Sequence, residues 1–274
     1  MKNVCLIVFL LLTTHTGFSQ NLSTIHKVNR KGQFYIYWGW NRAWYTHSDI
    51  HFKGADYDFT LQNVVAKDRQ TAFDFETYFK PATMTIPQYN VRIGYFLKHN
   101  LSISFGTDHM KYVAQQNQTV KINGQIANTG TTYDKIYTNE NITLKKGFLE
   151  FEHTDGLNYF NAEVRRYHDI LNLKKLIISF NEGVGFGGLL PRTDATLLNY
   201  PRNDAFHLAG FGTNILASLN ATFYKYFFIQ TELKGGYINM PDIRTTMSDV
   251  DNAKQHFFFT QTNFLLGFNL NVKK

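Results

Sequence analysis

Cysteine is nearly missing from this chain. The single one among 274 residues, Cys5, stands at the start of an apolar run. Everything downstream is therefore without disulfides, thiolate metal sites or a cysteine nucleophile. Long apolar stretches are lacking too. After residue 20 no run of about eighteen apolar residues occurs, which excludes a membrane-spanning helix. With 5 prolines and 19 glycines the composition is neither collagen-like nor that of a disordered chain. No P-loop and no helical His-Glu-x-x-His zinc motif is present. Asp242, Asp249 and Asp251 could offer oxygen ligands, but the twelve-residue calcium loop with its glycine and terminal glutamate is missing. No metal and no cofactor are expected. The formal charge of +7 comes without a basic cluster, so nucleic acid is not an expected partner.

Among what is there, the beginning is distinctive. Met1-Lys2, the apolar stretch Val4 to Leu12 and the small, polar exit through Gly17, Phe18, Ser19 and Gln20 describe a secretory signal peptide over 1–20. Cys5 lies before the apolar core is complete, not at the cleavage point, so lipidation is not expected. Residues 21–274 form the mature chain. Aromatic side chains make up 16% of the residues, with 25 Phe and 16 Tyr, a level that suits the aromatic girdles of a membrane barrel.

The segment His256 to Val272 sets the pattern. Phe258, Thr260, Thr262, Phe264, Leu266, Phe268, Leu270 and Val272 alternate with Gln261, Asn263, Gly267, Asn269 and Asn271, and Leu265 is the one apolar residue in the second set. A period of two places all of the first set on one side of a strand. The strand is longer than the usual five or six residues, as a bilayer-crossing strand must be. Similar alternation predicts strands over 33–45, 88–97, 101–114, 157–168, 175–190, 206–223 and 226–239. On the first, Phe34, Ile36, Trp38, Trp40 and Trp44 form the apolar face, broken by Arg42 above the membrane edge.

The predicted connections alternate in length. Tight turns fall at 98–100, 171–173 and 224–225, while long links cover 46–86, 115–156, 191–205 and 240–254. Outer-membrane barrels keep periplasmic turns short and let the outward loops grow. The expected fold is thus all-β, an eight-stranded antiparallel up-and-down transmembrane β-barrel with long extracellular loops and short periplasmic turns. Within the long links, Tyr57 to Leu61 reads as an extension of a strand above the membrane, and Asn123-Gly124 as the tip of a small hairpin.

The inward set carries Arg92, Asp108, Glu163, Arg165, Glu182, Glu232 and Lys234, with Asn90, Asn161, Asn214, Gln230, Gln261 and Asn263. An eight-stranded ring is just wide enough for side chains to fill it, and paired opposite charges satisfy the demands of burial. A polar plug that closes the lumen is the preferred reading over a proton path or gated channel. Glu182 falls in the outward set of its strand, after Leu176, Ile178 and Phe180. A bulge near Asn181 is expected to turn it inward, because a carboxylate facing lipid is costly.

Catalysis at the outward rim would draw on His153, Asp155 and Glu152, with Asp108 nearby. His153-Thr154-Asp155 resembles the His-x-Ser element of lipid A 3-O-deacylases at the histidine only, since Asp155 stands where that family has serine. Several motifs resemble a family of small outer-membrane β-barrel proteins of Bacteroidota-type bacteria. They are Glu152-His153-Thr154-Asp155-Gly156-Leu157-Asn158-Tyr159, Leu190-Pro191-Arg192-Thr193, Gly236 to Arg244 and Gln255 to Phe259. That resemblance implies an envelope location and a barrel, and no assigned reaction.

The function expected is a non-enzymatic, porin-like barrel of the outer membrane of a Gram-negative bacterium, closed by polar side chains. Its loops at about 47–86 and 115–156 would contact the surroundings or lipopolysaccharide. Its partners would be outer-membrane lipid, and the barrel-assembly machinery during insertion, and it is expected as a monomer. The alternatives are a rim-sited lipid A acyl hydrolase or transferase with His153 as base, and a narrow channel or conduit for a small apolar ligand.

Overall fold

The computed structural model describes residues 28–271; the expected signal peptide lies outside them. Among the described residues no helix is long and apolar enough to cross a membrane. The described residues form one antiparallel sheet of fifteen strands. In chain order they are β1 (Gln33–Tyr45), β2 (Ser48–Lys53), β3 (Tyr57–Val64), β4 (Ala66–Lys67), β5 (Tyr89–Lys98), β6 (Leu101–Ala114), β7 (Thr119–Ile126), β8 (Lys135–Thr143), β9 (Leu149–Asn172), β10 (Leu176–Leu189), β11 (Arg192–Leu197), β12 (Asn203–Phe206), β13 (Gly210–Phe223), β14 (Phe227–Arg244) and β15 (Asn252–Asn271). One helix, α1 (Phe75–Phe79), lies between β4 and β5.

The hydrogen-bonded order β1-β5-β6-β9-β10-β13-β14-β15 closes on itself, because β1 pairs with both β5 and β15. Ile36, for example, stands between Ile93 and Phe268. These eight strands are the ring that the alternation predicts, and each predicted strand overlaps one of them. The strand total is larger because the long links are themselves folded. β2, β3, β7 and β8 continue from the upper end of β15 as one sheet, while β11 and β12 extend from β9 and β4 pairs with β6.

These added strands, with the upper ends of β6, β9, β14 and β15, form a head above the ring. Ile50 and Phe52 on β2, Phe59 and Leu61 on β3, and Val120 and Ile122 on β7 all point into it, alternating with exposed or half-exposed polar residues. They join Phe148, Phe151, Leu197 and Phe257 in one buried apolar cluster. Burial of a large apolar side chain contributes roughly 1.5–3 kcal/mol, so a cluster of this size stabilises the head without help from lipid.

Two sequence expectations change. Asn123 and Gly124 lie within β7 and do not form a hairpin tip. Gly124 has φ +128°, and a side chain there would meet the carbonyl oxygen of Asp58 at 2.2 Å. The pairing of β7 with β8 slips at this point, so the dipeptide forms a β-bulge. The second change is at Glu182. β10 runs through Asn181 without a break in its pairing with β13, and its slip against β9 lies at Ile178/Ser179. Glu182 therefore keeps its outward place between Phe180 and Val184.

Candidate functional site: a filled, charge-balanced lumen

The interior of the ring is stacked in three levels. At the turn end, Tyr35, Tyr37, Phe96, Tyr167, Phe228 and Leu265 pack as a buried plug. Leu265, the one apolar residue among the inward positions of β15 from Gln261 onward, belongs to it. Arg30 closes this level from below. Its guanidinium lies 5.9 Å from the Phe96 ring and 5.5 Å from the Tyr167 ring, and it pairs with Asp169 at 2.6 Å.

The charged side chains fill the middle level. Lys234 on β14 reaches Asp108 on β6 at 2.6 Å and Glu163 on β9 at 2.9 Å. Arg165 pairs with Glu163 at 2.5 Å and with Glu232 at 2.7 Å, and Arg92 pairs with Glu163 at 3.2 Å. Both guanidinium groups donate to the Tyr37 hydroxyl, Arg92 Nε at 3.0 Å and Arg165 Nη2 at 2.9 Å. Amides complete the set. Asn161 accepts from Arg92 through its Oδ1 and donates to Asp108, Asn214 donates to Glu163, and Asn263 donates to Glu232.

Every charged member is at least 96% buried, and the signs cancel: Arg92, Arg165 and Lys234 against Asp108, Glu163 and Glu232. That balance is what makes burial tolerable, since an isolated ion would suffer a desolvation cost of several kcal/mol. Space for the network comes partly from β10, which offers glycines here. A Cβ on Gly185 would sit 2.5 Å from Asn214 Oδ1 and 2.8 Å from Glu163 Cγ.

The third level is the floor of the head, where Met110, Tyr112, Leu157, Tyr159, Ile238 and Phe259 are buried. A cavity of about 540 Å³ opens at the turn end, lined by Arg30, Gln33, Lys174, Thr222 and neighbours, below the aromatic plug.

Six of the seven residues expected in the lumen thus meet in one network. The seventh, Glu182, is outside, where its carboxylate lies 3.1 Å from His168 Nε2. Opposite it stands Arg166, whose other partner is Leu101, the first residue of β6. Glu182 thus has a cross-strand arginine and a hydrogen-bonding histidine beside it near the turn end, with no bulge at Asn181. Tyr37 is the member that sequence reasoning did not single out. Its position in the inward set of β1 was visible, but its role depends on two arginines from other strands.

The four rim candidates do not converge. Asp108 belongs to the lumen network. Glu152 is held by Arg69 at 2.6 Å and Asp155 by Arg192 at 2.8 Å, both on the outer side. His153 is fully buried inside the head, between Tyr112 and Phe151, with Nδ1 3.0 Å from the Thr193 hydroxyl. Burial pushes its pKa down to about 3, so the ring is neutral. Nε2 has no partner, which favours the tautomer with the proton on Nδ1, donated to Thr193, because an orphaned lone pair is the cheaper loss. No hydrogen bond or ion pair joins any two of the four among the described residues. Nor does any group of three or more His, Cys, Asp or Glu there suit a metal ion.

No protein-family model and no curated protein matches the sequence. Solved structures similar to this one are outer-membrane β-barrels. The N-terminal barrel domain of OprF from Pseudomonas aeruginosa is 10% identical, with 88% of this chain and 98% of that one covered and a TM-score of 0.29. Ail, the attachment invasion locus protein of Yersinia pestis, is 10% identical over 86% and 99% of the two chains, with a TM-score of 0.30. OprG from Pseudomonas aeruginosa is 8% identical over 90% and 99%, with a TM-score of 0.37.

Proposed function

We propose that this chain is an integral protein of the outer membrane of a Gram-negative bacterium, delivered by a cleaved signal peptide. In this reading it is a closed, non-enzymatic anchor that holds a folded β-head outside the cell. One observation carries the reading. The outer face of the ring is a continuous band of exposed apolar side chains, including Ile36, Ile93, Phe105, Val164, Phe186, Ile215, Leu219, Leu233 and Phe264, around an interior filled with ions. A soluble barrel has the opposite arrangement, and an exposed apolar surface of this extent needs a partner. Hydrocarbon is the partner that encircles a barrel.

The filled lumen speaks against a channel or an apolar-ligand conduit. The buried, neutral His153 speaks against a rim enzyme that uses it as base. Lipopolysaccharide and outer-leaflet lipid are the partners proposed for the outer surface, with the barrel-assembly machinery during insertion. A monomer in the membrane and a place in a Bacteroidota-type barrel family belong to the same proposal. Planar-bilayer recordings of the refolded protein test closure. Silence is expected, and steady unitary conductance would overturn the closed lumen. A lipid A acylation pattern that changes on deletion of the gene would overturn the non-enzymatic reading.

A further inference from the structure

The long link between β4 and β5 does not reach away from the ring. Its neck is tied to the wall. Lys111 Nζ, on the outward side of β6, donates to the Ile86 carbonyl at 2.7 Å and to Thr71 Oγ1 at 3.5 Å, so one ammonium group holds both ends of the segment. Gln88 Nε2 donates to the Arg69 carbonyl at 2.8 Å, and Arg69 is held in turn by Glu152. Between these points the chain makes α1, capped by the Asp74 carboxylate, which accepts from Thr77 N at 3.0 Å.

What this small, well-tied element presents is apolar. Phe73, Phe75, Phe79 and Ile86 are 74%, 70%, 45% and 51% exposed, and α1 has no buried residue. A packing role inside the protein does not account for them. Phe75 and Phe79 stack at 4.8 Å, and Phe79 meets Trp40 at 5.1 Å. Trp40 stands on the outward face of β1, beside Phe264 of the apolar band, two residues below the exposed Arg42. The phenylalanines are therefore continuous with the upper edge of the band.

We propose that the 71–86 segment is a membrane foot: its phenylalanines enter the acyl-chain boundary of the outer leaflet beside Trp40. The proposal rests on the reading of the ring as membrane-embedded. Aromatic and aliphatic side chains on a short amphipathic element bind at that depth through buried apolar area. The tied neck lowers the ordering cost of insertion. The link would thus brace the barrel against tilting, with only its polar residues in water.

The test uses the full chain carrying Cys5→Ser, refolded into vesicles of phosphatidylcholine brominated in the acyl chains. Single cysteines at Phe75→Cys, Phe73→Cys, Phe105→Cys and Gln125→Cys carry a fluorescent maleimide. Quenching of roughly twofold or more is expected at 73, 75 and 105, with none at 125, given the short reach of bromine and the shallow depth of an interfacial element. Quenching at 105 without quenching at 73 and 75 would overturn the foot and leave the embedded ring standing. Loss of quenching at 105 as well would overturn both.

Discussion

The ring and the head are built from some of the same strands with opposite polarity. On β15 the even-numbered residues point outward throughout. Near the head they are Lys254 and His256, and along the ring they become Phe264, Phe268 and Leu270. The odd-numbered residues change in the reverse sense, from Phe257 and Phe259 to Gln261 and Asn263. β9 does the same, with Glu150 and Glu152 outward above and Phe160 and Val164 outward below. On β15 the pairing with β1 runs through the crossover unbroken, and on β9 the alternation keeps its phase although Gly156 adopts φ +122° there. What changes is which face the surroundings will accept. On the proposed reading, water selects a polar outside and an apolar core for the head, and hydrocarbon selects the inverse for the ring. The level at which the phase flips on each strand would then mark the membrane edge.

The largest effect that separates the two regions is expected from Glu163→Gln. Glu163 contacts Lys234, Arg165 and Arg92, and its neutralisation leaves the lumen with uncompensated positive charge. About 3–5 kcal/mol of ring stability should be lost, read as a lower urea midpoint for barrel unfolding in detergent. The pair Asp108→Asn with Lys234→Met restores neutrality and should lose less than either single change. Equal losses in all three would contradict a balanced network.

A charge placed on the outer face sharpens the comparison. Leu219→Arg on the ring should cost roughly 2–4 kcal/mol in vesicles, the range for arginine near a bilayer midplane. Thr60→Arg on the outer side of the head should stay within about 0.5 kcal/mol, as surface changes do. Similar costs at both sites would mean that both face water.

The smallest effect is the pH dependence that His153 gives the head. His153 has its pKa lowered by burial to about 3, from an ordinary value of 6.5. The unfolded chain therefore binds this proton first. The stabilisation that depends on neutral His153 is complete above pH 6.5 and declines as pH falls from there toward 3, by about 2 kcal/mol at pH 5. Amide protection factors in β2 and β3, referred to the intrinsic exchange rate at each pH, should fall at pH 5 relative to pH 7.5 by more than those in β10 and β13. His153→Phe should remove that fall, and its persistence would exclude His153 as the cause.

The ring was legible because its strands are long and each alternates through several turns of the pattern, as with Phe34 to Trp40. The head was not. Its strands are short, and the alternation at Tyr57 to Leu61 reveals two faces without saying which one is buried. Only the pairing of β15 with β2, then β3 and β7, makes the Phe52 and Phe59 side inward, and those contacts join residues far apart in sequence. Asn123-Gly124 has the composition of a turn, yet the close passage of Asp58 uses the same glycine as a bulge. Glu182 shows a different failure. The general cost of a carboxylate facing lipid predicts an inward turn, but it carries no information about Arg166 across the strand pair or the hydrogen bond with His168. His153 reads from the sequence as a titratable residue at a rim, whereas its enclosure by Tyr112 and Phe151 depends on tertiary packing alone.

The reversal of polarity along a single strand is the feature on which a membrane-embedded ring depends. Cysteines placed singly at Lys254, His256, Phe264 and Phe268, in the chain carrying Cys5→Ser and refolded into lipid vesicles, can be challenged with a charged, membrane-impermeant maleimide. Rapid labelling at 254 and 256 with protection at 264 and 268 is the expected result. Uniform labelling at all four positions would show that water surrounds the ring as well as the head, and would contradict the membrane reading.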